Sequence, residues 1–305
     1  MFDLAVVIVS WNVRDLLAGC LRSLFDDLER SQLEAAVWVV DNASSDGTPA
    51  MVASSFPDVH LIASNENLGF AGGNNLALRQ ALDPVGQGPG FIWLLNPDTK
   101  VLPGATEALV AALEAHSGAG VAGAKLLGAD GSLQHSAFRF PGLAQLVFEL
   151  SSLPARLYDT PLNGRYSRRL YVGSKPFPVD HPLGASMMVR SEAVAQVGLM
   201  DEEYRLYCEE IDWCWRMRRA GWGAVCVPTA RVVHHSGQST GQAVARSFVD
   251  LWTSRARLYS RFHGPLKRRL ARALVRARIA RRAPGEGGEK AAACEQVQRA
   301  WEDVG

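Results

Sequence analysis

Long hydrophobic runs are missing: although 48% of the 305 residues are hydrophobic, no stretch approaches the ~20 apolar residues of a membrane-spanning helix. Cysteine is sparse and scattered, with five residues (Cys20, Cys208, Cys214, Cys226, Cys294) and no CxxC pair. That excludes a disulfide framework and a cysteine zinc site, and it fits a reducing compartment. Charge of one sign is not in excess: 32 Lys and Arg oppose 31 Asp and Glu, for a formal net charge of +1. The balance excludes a general nucleic-acid binder, so no nucleic-acid partner is expected. Ahead of LAVVIVS there is neither a basic leader region nor a small-residue cleavage site, which predicts a cytoplasmic protein. The glycines of GFAGG lack the GxGxxG spacing of a dinucleotide site, which argues against a dehydrogenase.

What is present is alternation. Residues 4–9 form a continuous β-branched run of the kind buried in a parallel sheet. Residues 12–28 then place Leu16, Leu17, Cys20, Leu21, Leu24 and Leu28 on one helical face. Strand patterns recur at 36–40, 59–63, 91–95 and 121–126. Helical patterns fall between them at 48–55, from a glycine- and asparagine-rich loop (65–75) to about residue 82, and at 105–116. This order predicts an α/β fold with a mixed, mainly parallel sheet flanked by helices. Residues 139–177 read as a long connection, helical around 143–150. Regularity returns with a strand (185–189), helices (191–197 and 207–220) and extended stretches at 224–227 and 230–234. A helix from about 242 to 262 leads to a basic segment. The segmentation expected is a main domain at 1–240, a basic helical extension at 241–283, and a linker with a short tail at 284–305.

In an open α/β sheet, ligands sit beyond the carboxyl ends of the strands. Four consecutive strand ends here carry polar groups: Ser10-Trp11-Asn12, Asp41-Asn42, the 65–75 loop and Asn96-Pro97-Asp98. Any one of them is explained by a turn or a helix cap. All four together point to a site along one rim. His234 and His235 follow an extended apolar stretch, so alternation turns only one of them toward that rim.

The segments AVVIVSWN, VVDNASSDGT, NENLGFAGGNN and LLNPD, with PLGASMMVRSE through EEIDWCWR to VVHHSG, resemble family 2 glycosyltransferases of the GT-A fold. Within that family they are most similar to the rhamnosyltransferase-type enzymes of cell-wall and surface-polysaccharide assembly. The resemblance runs from about residue 4 to 237. It implies a GT-A (Rossmann-like) sheet and an inverting, metal-dependent transfer of a sugar, with rhamnose one candidate. The donor is a dTDP- or UDP-sugar and the acceptor a saccharide or lipid-linked hydroxyl. A sugar nucleotidyltransferase would instead open with a glycine-rich phosphate loop, which LAVVIVSWN is not. The competing reading from another class is a non-catalytic nucleotide-sugar-binding or scaffold protein derived from such an enzyme.

The resemblance also assigns roles. Asp98 is the anionic ligand of Mn2+ or Mg2+, which neutralises the departing diphosphate; Asn96 contributes at most a neutral oxygen where the family usually has a second Asp. His235 completes the metal shell. Asp41 contacts a pyrimidine base, Trp11 stacks on it, and Asn67, Gly69 and Asn74 line ribose and phosphates. Glu210 stands where the family motif places an Asp, and so is the general base that takes the acceptor proton. Asp212 competes for that role, although four residues before Arg216 it is also placed for a structural ion pair. Glu209, adjacent to Glu210, diverges from it by about 100° on a helix, so the two are not expected to share one target.

Between Lys267 and Arg282 lie eight Lys or Arg residues and no acid, with Leu266, Leu270 and Leu274 on one stripe. Such a helix suits peripheral contact with an anionic membrane through 264–283, or equally a solvated helix packed on the main domain.

Overall fold

The computed structural model describes residues 3–82, 88–151, 154–236, 244–282, 288–302 and 304. Strands β1 (Leu4–Ser10), β2 (Ala35–Asn42), β3 (His60–Ser64) and β4 (Phe91–Leu95) alternate with helices α1 (Arg14–Ser31), α2 (Thr48–Ser55) and α3 (Gly69–Ala81). After β4 come β5 (Thr99–Val101), α4 (Ala105–Ala115), β6 (Ala119–Leu127), β7 (Leu133–Gln134), β8 (Ala137–Phe138), α5 (Leu143–Leu150) and α6 (Ala155–Tyr158). The chain continues through β9 (Phe177–Val179), β10 (His181–Pro182), β11 (Ser186–Arg190), α7 (Ser191–Val197), α8 (Glu209–Arg219) and β12 (Gly223–His234). It ends in helices α9 (Val244–Phe262), α10 (Pro265–Arg282) and α11 (Glu289–Ala300).

The main sheet runs β3-β2-β1-β4-β11-β6-β12-β5, with β7 beside β6 and β9 beside β12. β1 to β4 are parallel, β11 is inserted antiparallel between β4 and β6, and β12 is again parallel to β6. The expected mixed, mainly parallel sheet is thus present. Its strands are apolar on both sides because helices cover both faces. Leu17, Leu21 and Leu24 of α1 and Leu109 and Leu113 of α4 fill one face. Ala77 and Leu78 of α3, Val194 of α7 and Trp213 of α8 fill the other. β1 ends at Ser10, in register with Asp41 at the end of β2, so the polar strand ends lie on one rim.

Two expectations are corrected. The glycine-rich 65–75 stretch is helical from Gly69 onward, because tertiary packing overrides the low helix propensity of glycine. A Cβ on Gly73 would lie 2.7 Å from Val9 Cγ1, so only glycine lets α3 press this closely on β1. The 284–305 segment is more than a linker and short tail, since it contains α11. Val297 and Trp301 are fully buried there, in a separate core with Trp252 and Tyr259 of α9 and Ala271, Val275 and Ile279 of α10.

Candidate active site

The rim opens into a cleft of about 560 Å3. Its floor is the carboxyl ends of β1 and β4, through Ser10, Trp11, Asn96 and Asp98. One side is the start of α3, with Asn67 and Gly69. The other is Gly184 and Ala185 ahead of β11, the first residues of α8, and His234 at the end of β12. The start of α9 adds Arg246 and Asp250.

Gly69 has φ +73°, and a Cβ there would stand 2.2 Å from the carbonyl oxygen of Arg205. Asn67 Oδ1 accepts from Gly69 N (2.9 Å), and Phe70 N donates to Arg205 O (3.1 Å). The 205 loop is thereby fastened to the N-terminus of α3. Ahead of α8, Tyr207 and Cys208 both have φ +67°, a strained conformation for side-chain-bearing residues that costs ~1–3 kcal/mol each. Packing of Cys208 with Tyr204, Ile211 and Leu258 holds it. The result is that Glu209 and Glu210 both line the cleft, at 5% and 8% exposure. The expected divergence of these neighbours is therefore corrected: both reach one cavity, because they sit in the first turn, where the chain enters the helix. Burial raises both carboxyl pKa values, that of Glu209 well above the usual range with the charge of Glu210 adding to it, while Arg255 pulls Glu210 back down.

Asp212 is a different case. It is fully buried, accepts from Arg216 Nε at 2.7 Å and stands 2.9 Å from Arg261 Nη1. It does not line the cleft, so it ties α8 to α9 and is withdrawn as a candidate base.

At the end of β12, His234 Nε2 lies 3.4 Å from Asp98 Oδ1, and both residues are buried. His234 Nδ1 lies 3.2 Å from Gln134 Oε1 and 3.3 Å from Ser236 Oγ; in the tautomer that donates from Nδ1 to Gln134, the Nε2 lone pair faces Asp98. The side chain of His235 is exposed, and its backbone N–H donates to Asp98 O (3.0 Å). Of the two histidines it is therefore His234, not the expected His235, whose side chain faces Asp98 and the cleft. Ala230 and Val232 are buried in the core, and the period of two carries their face to 234.

Trp11, Asn67, Gly69, Asn96, Asp98 and Glu210 come together on the cleft wall. Asp41 and Asn74 do not. Asp41 is 1% exposed, with Oδ2 accepting from Ser44 N (2.9 Å) and Oδ1 buried without a hydrogen-bond partner. Asn74 is 1% exposed and donates to Phe70 O within its own helix (2.8 Å). Asn42, the neighbour of Asp41, does reach the cleft. Arg205 and Arg246 are cleft residues that no sequence motif marks.

The glycosyl transferase family 2 model matches residues 5–191. The chain is 32% identical over 244 residues to an N-acetylglucosaminyl-diphospho-decaprenol L-rhamnosyltransferase of Mycobacterium tuberculosis, covering 78% of each protein. It is 26% identical over 224 residues to the low-salt glycan biosynthesis hexosyltransferase Agl10 of Haloferax volcanii, covering 71% of this chain and 62% of that one. Among solved structures, the mannosyltransferase PcManGT of Pyrobaculum calidifontis, in complex with GDP-Man and Mn2+, superposes with TM-score 0.57 at 14% identity. That match covers 98% of this chain and 86% of the other. GalNAc-T7 with UDP, GalNAc and Mn2+ gives 0.58 at 14% identity, over 77% of this chain and 43% of that one. With the motifs gathered on one cleft and the family model spanning more than half its length, the chain belongs to the family 2 glycosyltransferases and is a glycosyltransferase of the GT-A fold.

Proposed function

We propose that the protein transfers a sugar, rhamnose by the likeness to the mycobacterial relative, from a dTDP- or UDP-linked donor to a hydroxyl of a lipid-linked saccharide, with inversion. The observation that carries this reading is the cleft itself, which an Asp98–His234 pair and a buried, proton-accepting Glu210 line together.

Asp98 and His234 fit a divalent cation. A carboxylate oxygen and an imidazole lone pair 3.4 Å apart are two electron-pair donors facing each other, and two ligands of one ion at ~2.1 Å lie roughly that far apart. Gln134 orients the ring from behind, as partners of metal-bound histidines do. Among the described residues no third His, Cys, Asp or Glu joins them, which suits an ion that completes its shell with substrate phosphates. Such an ion, Mn2+ or Mg2+, supplies charge neutralisation for the departing diphosphate.

Trp11 offers a face for the base, and the unpartnered Oγ of Ser10 on the cleft floor is a group that a base edge could satisfy. Glu210 takes the proton of the acceptor hydroxyl. The acceptor oxygen bonds to the anomeric carbon as the bond from that carbon to the diphosphate oxygen breaks. One displacement, from the side opposite the leaving group, inverts the centre. The basic, leucine-striped α10 supports peripheral contact with an anionic membrane, where a lipid-linked acceptor resides.

The test is a thermal-shift panel of UDP, dTDP and GDP, each with and without Mn2+ or Mg2+. A ligand at a hundredfold its Kd adds about 2.7 kcal/mol, so one pyrimidine nucleotide with metal is expected to raise Tm by several degrees. The metal-dependent increment is expected to vanish in His234→Ala and persist in His235→Ala. No shift with any nucleotide would turn the reading to a scaffold protein that has lost the donor site.

A further inference from the structure

The long connection between β8 and β9 holds no acid over residues 160–179, but four cations: Arg165, Arg168, Arg169 and Lys175. Within it Leu170 and Val172 are 40% and 84% exposed, while Tyr171 between them is buried. Tyr171 is pinned from several sides. Its ring meets His135 and Phe177 edge-on, with centroids 5.8 and 5.2 Å away. Its hydroxyl accepts from Ala137 N (3.1 Å), and its carbonyl oxygen accepts from Lys125 Nζ (2.9 Å). Residues Arg168–Tyr171 form one 3-10 turn, in which successive side chains diverge by about 120°. Anchoring Tyr171 inward therefore turns its apolar neighbours out to water.

The turn is held as well as anchored. Ser167 Oγ accepts from Arg169 N (3.4 Å) at its start, and Asp159 pairs with both Arg168 and His135. Arg169 and Lys175 are exposed, and among the described residues neither has an ion pair. A fixed apolar tip flanked by unpaired cations suits a boundary where acyl chains meet anionic headgroups. Its surroundings point the same way. α5 packs against both the turn Pro161–Asn163, where Leu162 is 66% exposed, and α10. Two stretches of one chemistry, free of acid, rich in cations and showing aliphatic groups to solvent, thus share one neighbouring helix. A broad charged surface engages both.

We propose that residues 162–175 form a second lipid-contacting element, with Leu170 and Val172 entering an anionic bilayer and Arg169 and Lys175 meeting its headgroups. This extends the membrane contact read from α10 to a separate part of the chain. Two contacts on one rigid body reinforce each other's binding and fix the tilt of the protein on the surface, which a single helix does not.

The experiment places an environment-sensitive fluorophore on Val172→Cys in the full chain. All five native cysteines are buried, so the label is directed to the new thiol. Ala53→Cys, exposed on α2, is the control. With phosphatidylglycerol vesicles the label at 172 is expected to shift to the blue and to be quenched by brominated acyl chains, while the label at 53 stays unchanged. Leu170→Ser/Val172→Ser is expected to weaken co-sedimentation about tenfold, roughly the effect of keeping one aliphatic side chain in water, with Tm unchanged. A label at 172 that remains in water on vesicle-bound protein, or a double variant that sediments like wild type, overturns the inference and leaves α10 as the anchor. Wild-type protein that does not bind vesicles removes both contacts. A blue shift that grows with protein concentration in the absence of vesicles assigns the tip to self-association and also overturns it. None of these outcomes bears on the donor site, which the nucleotide panel tests separately.

Discussion

Two adjacent carboxyl groups lead α8, each less than one-tenth exposed, and each has an Oε2 buried without a hydrogen-bond partner. Burial raises both, but Glu209 rises further because it also feels the charge of Glu210, whereas Arg255 favours the ionised form of Glu210. As pH rises, the first proton therefore leaves the pair only above the ordinary carboxylate range, and Arg255 favours the microstate with Glu210 ionised. The acid limb of kcat/KM is expected to lie above the ordinary carboxylate range, with activity rising as Glu210 loses its proton. Glu210→Gln is expected to lower kcat by ~10²–10⁴ and leave nucleotide binding intact; near wild-type turnover would remove Glu210 from the base role. The sign for stability runs the other way. A carboxyl whose folded pKa is raised binds its proton more tightly when folded, so its contribution is full at low pH and is lost as pH rises through the folded value. Glu209→Gln should accordingly flatten any fall of Tm on the alkaline side.

Between α9, α10 and α11 the apolar faces are thin, and their core depends on few large side chains. Trp301 is fully buried, and its indole N–H donates to Trp252 O at 2.9 Å. Trp301→Ala is expected to cost ~3–5 kcal/mol, read as a lower urea midpoint, and a change below 1 kcal/mol would mean that α11 is not part of the cooperative unit. This stretch, legible only as a linker and tail, shows where sequence reading stops: Ala293, Val297 and Trp301 gain their meaning from helices far away in the chain. The strand ends were legible because short β-branched runs and their polar ends are local signals, and Trp11, Asn67, Asp98 and Glu210 lie in such signals or in motifs beside them. His234 was legible too, through the parity it shares with Ala230 and Val232, had parity been preferred over resemblance. Arg205 and Arg246 were not, since nothing local marks an arginine that a distant helix brings to a cleft.

Across the whole molecule the exposed large aliphatic residues are confined to two stretches of the described chain, 147–172 and 244–274. The sheet and its flanking helices contribute none. α10 explains much of this, being apolar on two sides: Ala271, Val275 and Ile279 are buried against its neighbours, while Leu266, Leu270 and Leu274 are 72%, 46% and 39% exposed. Cationic residues lie between these stripes, and no acid occurs from Lys267 to Arg282. An exposed leucine stripe is unfavourable in water at ~25 cal/mol per Å2, and each Lys or Arg near an anionic surface contributes about 1 kcal/mol. Together they favour a helix lying in a charged lipid interface. α10 also packs on α5, whose Gln145 and Glu149 line a cavity of about 360 Å3 that Glu210 also lines, so docking through α10 brings that cavity near the lipid surface. The protein is expected to co-sediment with phosphatidylglycerol vesicles, less so as salt rises, and not with phosphatidylcholine alone. Leu266→Ser/Leu270→Ser/Leu274→Ser, on the face away from the core, is expected to weaken vesicle binding at least tenfold and leave Tm within a degree or two. Unchanged sedimentation of that variant, or equal binding to neutral vesicles, would mean that α10 serves only to close the C-terminal core.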